Sequence, residues 1–189
     1  MEHATIFRLV VGLGNPGRQF VGTRHNVGFL VVEELARRAA ISFRFEAKWD
    51  AEVALFGGRL LMKPQTFMNL SGEAVANYAR YHRIDQSEIL VIVDDAAIRL
   101  GELRLRPSGS AGGHNGLESV LIHMGTEAVP RRRIGIGATS GVLTDHVLGK
   151  FEPSEIEVVE ASVSRAADAA EFANAHGIEA AMNLYNRKQ

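Results

Sequence analysis

The order of apolar and polar positions in the first half of the chain predicts a strand, a helix and a hairpin. Residues 7–11 form a short apolar run that ends at a glycine cluster, which is typical of a buried strand. In residues 26–40 an apolar side chain recurs at every fourth position while charged residues take the other side, which predicts an amphipathic helix. Residues 51–56 and 59–63 flank Gly57-Gly58 and are expected to pair as a β-hairpin, followed by a loop at 64–70.

The second half continues the alternation of helices and strands. We predict a helix over residues 72–82, and the uniformly apolar residues 89–93 predict a central strand covered on both faces. Residues 103–106 alternate leucine and arginine, so the leucines are expected to face the core and the arginines to face outward together. A glycine-rich loop at 109–116 leads into a short helix that ends near Met124, and residues 133–138 predict another strand.

The last segment predicts a long helix that starts near Pro153, stops at His176-Gly177 and is followed by a further turn or two over residues 178–185. Its apolar stripe is expected at Ile156, Val159, Val163, Ala166 and Ala170. Strands that alternate with helices predict a layered α/β domain with a mostly parallel sheet and one antiparallel hairpin.

Composition narrows the class of protein. The 189 residues include 21 Lys and Arg against 22 Asp and Glu, with 46% apolar and 23% charged residues, so we expect one folded domain over residues 1–189. No apolar run approaches the roughly 18–20 residues of a membrane helix. The chain has no cysteine, and residues 1–5 lack the features of a secretory signal, which together favour a reducing, cytoplasmic location.

A glycine motif offers a competing interpretation. Residues 12–17, Gly-Leu-Gly-Asn-Pro-Gly, satisfy G-x-G-x-x-G directly after the first predicted strand, so a dinucleotide site is one alternative and plain turn glycines are another. The residues after Gly17 show no helical pattern, and Pro16 removes one backbone N–H. The acidic residues about 20 positions on, Glu33 and Glu34, lie on the outer face of a predicted helix. These features count against a dinucleotide.

Polar residues follow three of the predicted strands, and ligands of open α/β sheets bind beyond the carboxyl ends of strands. These residues are Asn15, Arg24-His25-Asn26, Gln65, Met68, Asn69, Asp94 and Asp95. A histidine beside a strand-end aspartate suits hydrolysis, because the carboxylate orients the imidazole and stabilises its protonated form. Without cysteine or a G-x-S-x-G motif, direct attack by water is the simpler chemistry.

Structural roles for the same residues stay open. His25 alone could be a hydrogen-bonding residue at a helix start, Asp94-Asp95 could cap a turn, and residues 112–116 could be a flexible connector. A metal site is not expected, because the remaining histidines show no ligand spacing such as H-E-x-x-H. Those histidines are His3, His82, His123, His146 and His176.

Arginines concentrate in two predicted strands, Arg104 and Arg106 in one and Arg131-Arg132-Arg133 in another. If the strands adjoin, Arg104, Arg106, Arg131 and Arg133 would line one patch, and guanidinium groups suit phosphate. A solvated sheet edge is the plain alternative. Phe20 and Phe67 could offer stacking faces to an unpaired base, although core packing is the usual role of phenylalanine.

Four ordered blocks resemble one family. They are Gly12–Gly17 with Thr23–Phe29, Lys63–Gly72, Ser110–Leu117 and Arg133–Gly137. Together they resemble bacterial-type peptidyl-tRNA hydrolase over nearly the whole chain. The resemblance implies a monomeric single-domain three-layer α/β/α sandwich with a twisted, mostly parallel mixed sheet. It also implies an esterase that cleaves peptide from the 3′-terminal ribose of tRNA, with no metal or cofactor.

The resemblance also implies roles for individual residues. His25 falls at the position of the base that activates water, and Asp94 at the position of its supporting aspartate. Asn15 matches an asparagine that distinguishes N-blocked from free aminoacyl-tRNA. The side chains implied to hold the peptide or the tRNA end are Phe20, Phe67, Met68, Asn69 and Asn115, and those implied to bind tRNA phosphate are Arg104, Arg106 and Arg133. The remaining alternative is a non-catalytic RNA-binding relative of the same fold, which would need no active histidine.

Overall fold

The computed structural model describes residues 7–187, so His3 and the rest of the N-terminal segment discussed above lie outside the described residues. The strands are β1 Leu9–Gly12, β2 Arg44–Glu46, β3 Ala51–Phe56, β4 Arg59–Pro64, β5 Ile89–Asp95, β6 Leu103–Arg106 and β7 Arg131–Gly135. The helices are α1 Val27–Arg38, α2 Ser71–Tyr81, α3 Asn115–Met124, α4 Leu143–Leu148, α5 Ile156–His176 and α6 Ile178–Tyr185. None of the helices within residues 7–187 is long and apolar enough to span a membrane.

The seven strands form one mixed sheet in the order β2-β3-β4-β1-β5-β7-β6. β1 is parallel to both β4 and β5, and β5 is parallel to β7, which gives the parallel centre that the pattern predicted. The prediction of a single antiparallel hairpin was too simple. Besides the β3–β4 hairpin, β2 pairs antiparallel with β3 and β6 pairs antiparallel with β7 at the two edges of the sheet. β2 was not predicted because it is too short and too exposed to leave an apolar run in the sequence.

Helices cover both faces of the sheet, which confirms the three-layer sandwich. On one face, the core joins α1 and α5 residues such as Val31 and Ala166 to Leu90 and Ile92 of β5. On the other face, α2 and α3 pack over the alternate β5 positions, such as Val91. β5 is therefore buried from both sides, as expected for a central strand whose sequence is apolar throughout.

Some boundaries differ from the sequence prediction. β7 starts at Arg131 and ends at Gly135, whereas the pattern placed a strand at 133–138, because two buried arginines do not register as strand residues. Ile156 is 43% exposed, so the buried stripe of α5 begins only at Val159. The six-residue helix α4 has no buried residue and leaves no apolar periodicity to detect.

The glycines of the first motif allow a close approach of helix to sheet. A Cβ on Gly12 would lie 2.1 Å from the backbone oxygen of Gly28 in α1, and a Cβ on Gly28 would lie 2.4 Å from the oxygen of Ile92 in β5. Residues Arg18–Phe20 form only a 3₁₀ turn, and the first α-helix begins at Val27. A dinucleotide fingerprint requires a helix right after its glycines, and here turns take the place of that helix. α1 packs close to the sheet, and the residues before it lie at the carboxyl edge of the sheet.

Candidate active site

A cleft of about 450 Å³ opens at the carboxyl ends of β1, β4, β5 and β7. Its walls come from the segments that follow these strands and from the glycine-rich loop before α3, with α4 on the remaining side. The lining includes Asn15, His25, Phe67, Met68, Asn69, Asp94, Asp95, His114, Asn115, Arg133, Leu143, Val147 and Leu148. This is the edge at which ligands of open α/β sheets bind, and it brings together side chains that are far apart in the sequence.

An imidazole–carboxylate pair lies in this cleft, as the sequence predicted. The Nδ1 atom of His25 is 2.8 Å from Oδ1 of Asp94, and the His25 side chain is 12% exposed. A second imidazole contacts the same oxygen, since Nε2 of His114 is also 2.8 Å from Oδ1 of Asp94. The two rings are 4.9 Å apart between centroids. Asp94 thus holds two histidines at once through a single carboxylate oxygen.

Hydrogen-bond partners determine which ring nitrogens carry protons. The backbone N–H of Leu117 donates to Nδ1 of His114 at 3.1 Å, so Nδ1 accepts and Nε2 donates its proton to Asp94. For His25, an ionised Asp94 can only accept, so Nδ1 carries the proton. In the neutral imidazole, the Nε2 atom of His25 is then the nitrogen that can accept a proton in the cleft.

Asp94 stays ionised despite deep burial. Burial by itself would raise the pKa of this carboxyl, whose side chain is only 3% exposed. The hydrogen bonds that His114 and His25 donate, and the favourable electrostatic interaction with both rings, outweigh burial and hold the pKa of Asp94 well below its ordinary value. A permanent negative charge is therefore fixed beside both imidazoles.

Asn15 is anchored by backbone hydrogen bonds that fix its side-chain amide. The backbone N–H of Met68 donates to Oδ1 of Asn15 at 2.8 Å, and the backbone N–H of Asn15 donates to Oδ1 of Asn26 at 2.9 Å. Because Oδ1 is already an acceptor for Met68, the Nδ2 group of Asn15 is the end that remains to donate in the cleft. Asn69 and Asn115 are exposed on the same rim.

Arg24 ties the turn that carries His25 to the segment after α4. Its guanidinium forms an ion pair with Glu155 at 2.7 Å, donates to the backbone oxygen of Lys150, and lies 5.2 Å from the ring centre of Phe151. The backbone N–H of Arg24 also donates to the oxygen of Gly149 at 2.9 Å. His25 is therefore positioned by its neighbour's contacts as well as by Asp94.

Of the predicted binding residues Phe20, Phe67 and Met68, two line the cleft. Phe67 is 58% exposed and Met68 is buried, and both line the cleft. Phe20 lies in the 3₁₀ turn before His25 and is not among the residues that line the cleft.

The four arginines do share one face, because Arg104 pairs with Arg133 and Arg106 with Arg131 across β6 and β7. The expectation that all four would be available at the surface was wrong for Arg131. Its side chain is buried and donates to the backbone oxygens of Val129, Ser110 and Glu127. Arg104 and Arg106 are exposed.

Arg133 lies between this face and the cleft. It forms an ion pair with Asp95 at 3.2 Å and donates to the backbone oxygens of Ser110 and Ala111. Its guanidinium is therefore partly engaged within the protein, and it holds the glycine-rich loop next to the strand that carries Asp94.

His114 is a residue of the cleft to which the sequence analysis assigned no role. It lies in Gly112-Gly113-His114-Asn115-Gly116, for which a flexible connector was one interpretation. The side chain is 6% exposed and accepts from Leu117 at the start of α3 while donating to Asp94. Its place as the N-cap of α3 left no clear signal in the sequence, because histidine is not among the residues that usually cap a helix.

The same three side chains form a possible metal-binding group. One ligand atom each from His25, Asp94 and His114 lies within 4.8 Å of the others, and two imidazoles with a carboxylate suit Zn²⁺. Each of these atoms already takes part in a hydrogen bond, so a metal would have to displace both contacts to Asp94. The arrangement fits a hydrogen-bonded triad without rearrangement.

Comparisons with known proteins agree on one family and one fold. The sequence model of the peptidyl-tRNA hydrolase family matches residues 9–189. A peptidyl-tRNA hydrolase of Synechococcus sp. (strain JA-3-3Ab) is 47% identical, with 95% of this chain and 82% of the relative covered. The enzyme of Akkermansia muciniphila is 45% identical, with 95% of each covered.

A solved structure of a peptidyl-tRNA hydrolase has the same fold. The crystal structure of peptidyl-tRNA hydrolase from Acinetobacter baumannii superposes with a TM-score of 0.92 at 32% identity, covering 100% of this chain and 99% of that one. Fold and cleft thus define an α/β protein with its ligand edge at the carboxyl ends of the parallel strands. The chain belongs to the peptidyl-tRNA hydrolase family, which confirms the resemblance seen in the sequence.

Proposed function

We propose that the chain hydrolyses the ester bond between a peptide and the 3′-terminal ribose of tRNA, releasing free tRNA and peptide. Its substrate would be peptidyl-tRNA dropped during translation. Membership of the family supports the reaction, and the observation that carries it is the 2.8 Å contact between His25 Nδ1 and Asp94 Oδ1 in an open cleft. That contact leaves Nε2 of His25 as a base for water.

In the proposed mechanism, Nε2 of His25 removes a proton from water as its oxygen attacks the ester carbonyl carbon. The negative charge of Asp94 stabilises the imidazolium that forms. When the tetrahedral intermediate collapses, the C–O bond to the ribose breaks and the imidazolium returns its proton to the leaving 3′ oxygen. General-base catalysis contributes about 10²–10⁴-fold, and positioning supplies further acceleration.

We propose that carboxamide groups hold the peptide end. The fixed Nδ2 group of Asn15 would donate to the carbonyl of an N-blocked aminoacyl group, and Asn69 and Asn115 would orient the peptide or the developing oxyanion. Phe67 and Met68 would contact the substrate side chain or the terminal base. Phe20 was assigned to this group by resemblance, and its position outside the cleft makes it the weakest member.

We propose that the tRNA backbone binds the exposed arginines of β6. Arg104 and Arg106 are exposed, Arg106 donates only to the neighbouring backbone oxygen of Leu105, and phosphate is a natural ligand for both guanidinium groups. Arg133 would add a contact where this face meets the cleft, while its ion pair with Asp95 keeps it in place.

The remaining parts of the proposal concern the setting. The mechanism needs neither metal nor cofactor, because the imidazole activates water directly. We propose that the protein acts as a monomer built from one domain over residues 1–189, and that it works in the cytoplasm, where peptidyl-tRNA is produced.

One assay separates this function from non-catalytic RNA binding. Labelled N-acetyl-aminoacyl-tRNA and free aminoacyl-tRNA are each incubated with the protein, and the released label is measured. Release from the N-blocked substrate alone is the result expected of the enzyme. Tight tRNA binding without release from either substrate would contradict the proposal and support the RNA-binding alternative.

A further inference from the structure

A second cavity, of about 770 Å³, lies at the opposite end of the sheet. It is lined by β3, β4, the end of α2 and the β2–β3 connection, and it includes Arg8 before β1. The helix α2 begins at Ser71, just after the cleft residue Asn69, and ends at Tyr81 in this cavity. Eleven helical residues span about 16 Å, so the cavity is separate from the active site.

Four aromatic rings line this cavity, which we call the aromatic pocket. Trp49, the only tryptophan of the chain, lies 5.1 Å from Tyr78 and 5.1 Å from Tyr81 between ring centres. His82 lies 4.2 Å from Tyr78. Tyr81 is 63% exposed, so a large part of its surface is open to a ligand. The mechanism proposed above uses none of these rings.

The charges around the rings are mostly positive. Arg8, Arg44 and Lys48 line the pocket together with the carboxylate of Glu46, and Arg8 also forms an ion pair with Glu88 at 3.4 Å. Glu46 pairs with Arg44, whose side chain is 81% exposed. The Lys48 ammonium lies 3.5 Å from the ring centre of Tyr81 and 4.6 Å from that of Trp49. The pocket therefore combines aromatic faces with an excess of cations.

We infer that the aromatic pocket binds an unpaired nucleotide of an RNA strand. The base would displace the Lys48 ammonium from the faces of Tyr81 and Trp49 and stack there, and Lys48, on its flexible side chain, would turn with Arg8 and Arg44 to the adjoining phosphates. Aromatic stacking beside cationic side chains is the usual way to hold single-stranded RNA. The volume lies within the range of roughly 300–1,000 Å³ for ligand pockets. An acidic peptide would use the cations but would leave the exposed ring faces without a matching partner.

The single tryptophan makes the inference directly measurable. Because Trp49 lines this pocket and the chain has no other tryptophan, its fluorescence reports binding here and not at the catalytic cleft. The titration uses three probes: a short single-stranded oligoadenylate, AMP, and a peptide of glutamates. We expect saturable quenching by the oligonucleotide, weaker quenching by AMP and no saturable change with the peptide.

Variants locate the binding. Tyr81→Leu should weaken oligonucleotide binding by about 5- to 150-fold, as for the loss of one stacked base, and Lys48→Gln should flatten its salt dependence. Arg104→Gln, a cationic change at the far edge of the sheet, is the matched control and should leave the quenching curve unchanged. The far-UV circular dichroism spectrum of Tyr81→Leu should match that of the parent, which shows that the variant folds, and its hydrolysis of N-acetyl-aminoacyl-tRNA should match as well.

Three outcomes would overturn the inference. They are no saturable fluorescence change with the oligonucleotide, equal quenching by the glutamate peptide, and an unchanged oligonucleotide affinity in a folded Tyr81→Leu protein. A stronger response to AMP than to the oligonucleotide would mean a free-nucleotide site and would equally contradict an RNA strand. None of these outcomes depends on the hydrolytic assay, so the pocket and the active site can fail separately.

Discussion

Replacement of Asp94 by asparagine tests the electrostatic part of the mechanism. The change removes one negative charge with almost no change in volume, and the asparagine oxygen can still accept the two imidazole N–H groups now 2.8 Å from Oδ1. In the transition state His25 becomes positive with its charge centre about 4 Å away. At an effective dielectric constant of about 20 the lost attraction is about 4 kcal/mol, which is about 10³-fold in rate.

The assay is steady-state hydrolysis of N-acetyl-aminoacyl-tRNA, with kcat and KM resolved. We expect Asp94→Asn to lower kcat by about 10²–10⁴-fold and to leave KM within a few-fold, because Asp94 does not contact phosphate. Asp145→Asn is the matched control. It removes the same charge from an exposed position on α4 and should change kcat little. A folded Asp94→Asn protein whose kcat falls less than about tenfold would refute the charge argument.

The same variant has a second readout in acid. The pKa of Asp94 is lowered in the folded protein, because its contacts with His114 and His25 outweigh burial. The carboxylate therefore stabilises the fold above its unfolded-state pKa of about 4, and this contribution is lost as pH falls through the lower folded-state value. Denaturant titrations between about pH 2 and pH 6 should show a smaller loss of stability in Asp94→Asn than in the parent. Parallel curves would contradict the assignment.

Three further predictions concern other parts of the molecule. Charge reversal at Arg104 or Arg106 should raise KM and reduce the salt dependence of tRNA binding, and a change confined to kcat would contradict a phosphate contact. Arg132 is fully buried, burial lowers its pKa to about 9, and no described residue hydrogen-bonds its guanidinium nitrogens. Arg132→Met should therefore raise the free energy of unfolding by about 1–4 kcal/mol, measured by denaturant titration, and a loss of stability would contradict this account of Arg132. Dialysis against EDTA should leave hydrolysis unchanged, whereas loss of activity restored by Zn²⁺ would assign the His25–Asp94–His114 group to a metal.

Much of the fold could be predicted because its signals are local. The hairpin needed only Gly57-Gly58 between two apolar runs, and the central strand needed only its continuous apolar stretch. By contrast, β7 was misplaced because its first residues, Arg131 and Arg132, are buried arginines, and the burial of Arg131 depends on the backbone oxygens of Ser110 and Glu127. Periodicity cannot anticipate such partners.

The candidate site likewise has one part that local signals predicted and one part that they did not. The meeting of His25 and Asp94 followed from the rule that strand ends share one edge of a sheet. His114 was missed because its role depends on two partners at once, the backbone N–H of Leu117 and the carboxylate of Asp94. The alternation of the strand placed Arg131 and Arg133 on one face. The sequence could not show that both guanidinium groups donate to the backbone oxygen of Ser110.

The most direct test of the central claim is single-turnover hydrolysis of N-acetyl-aminoacyl-tRNA by His25→Ala, with and without added imidazole. A base at Nε2 of His25 predicts a rate at least about 10²-fold below the parent, unchanged tRNA affinity, and partial recovery when free imidazole enters the vacated space. A His25→Ala protein that hydrolyses the ester at nearly the parent rate would contradict the account.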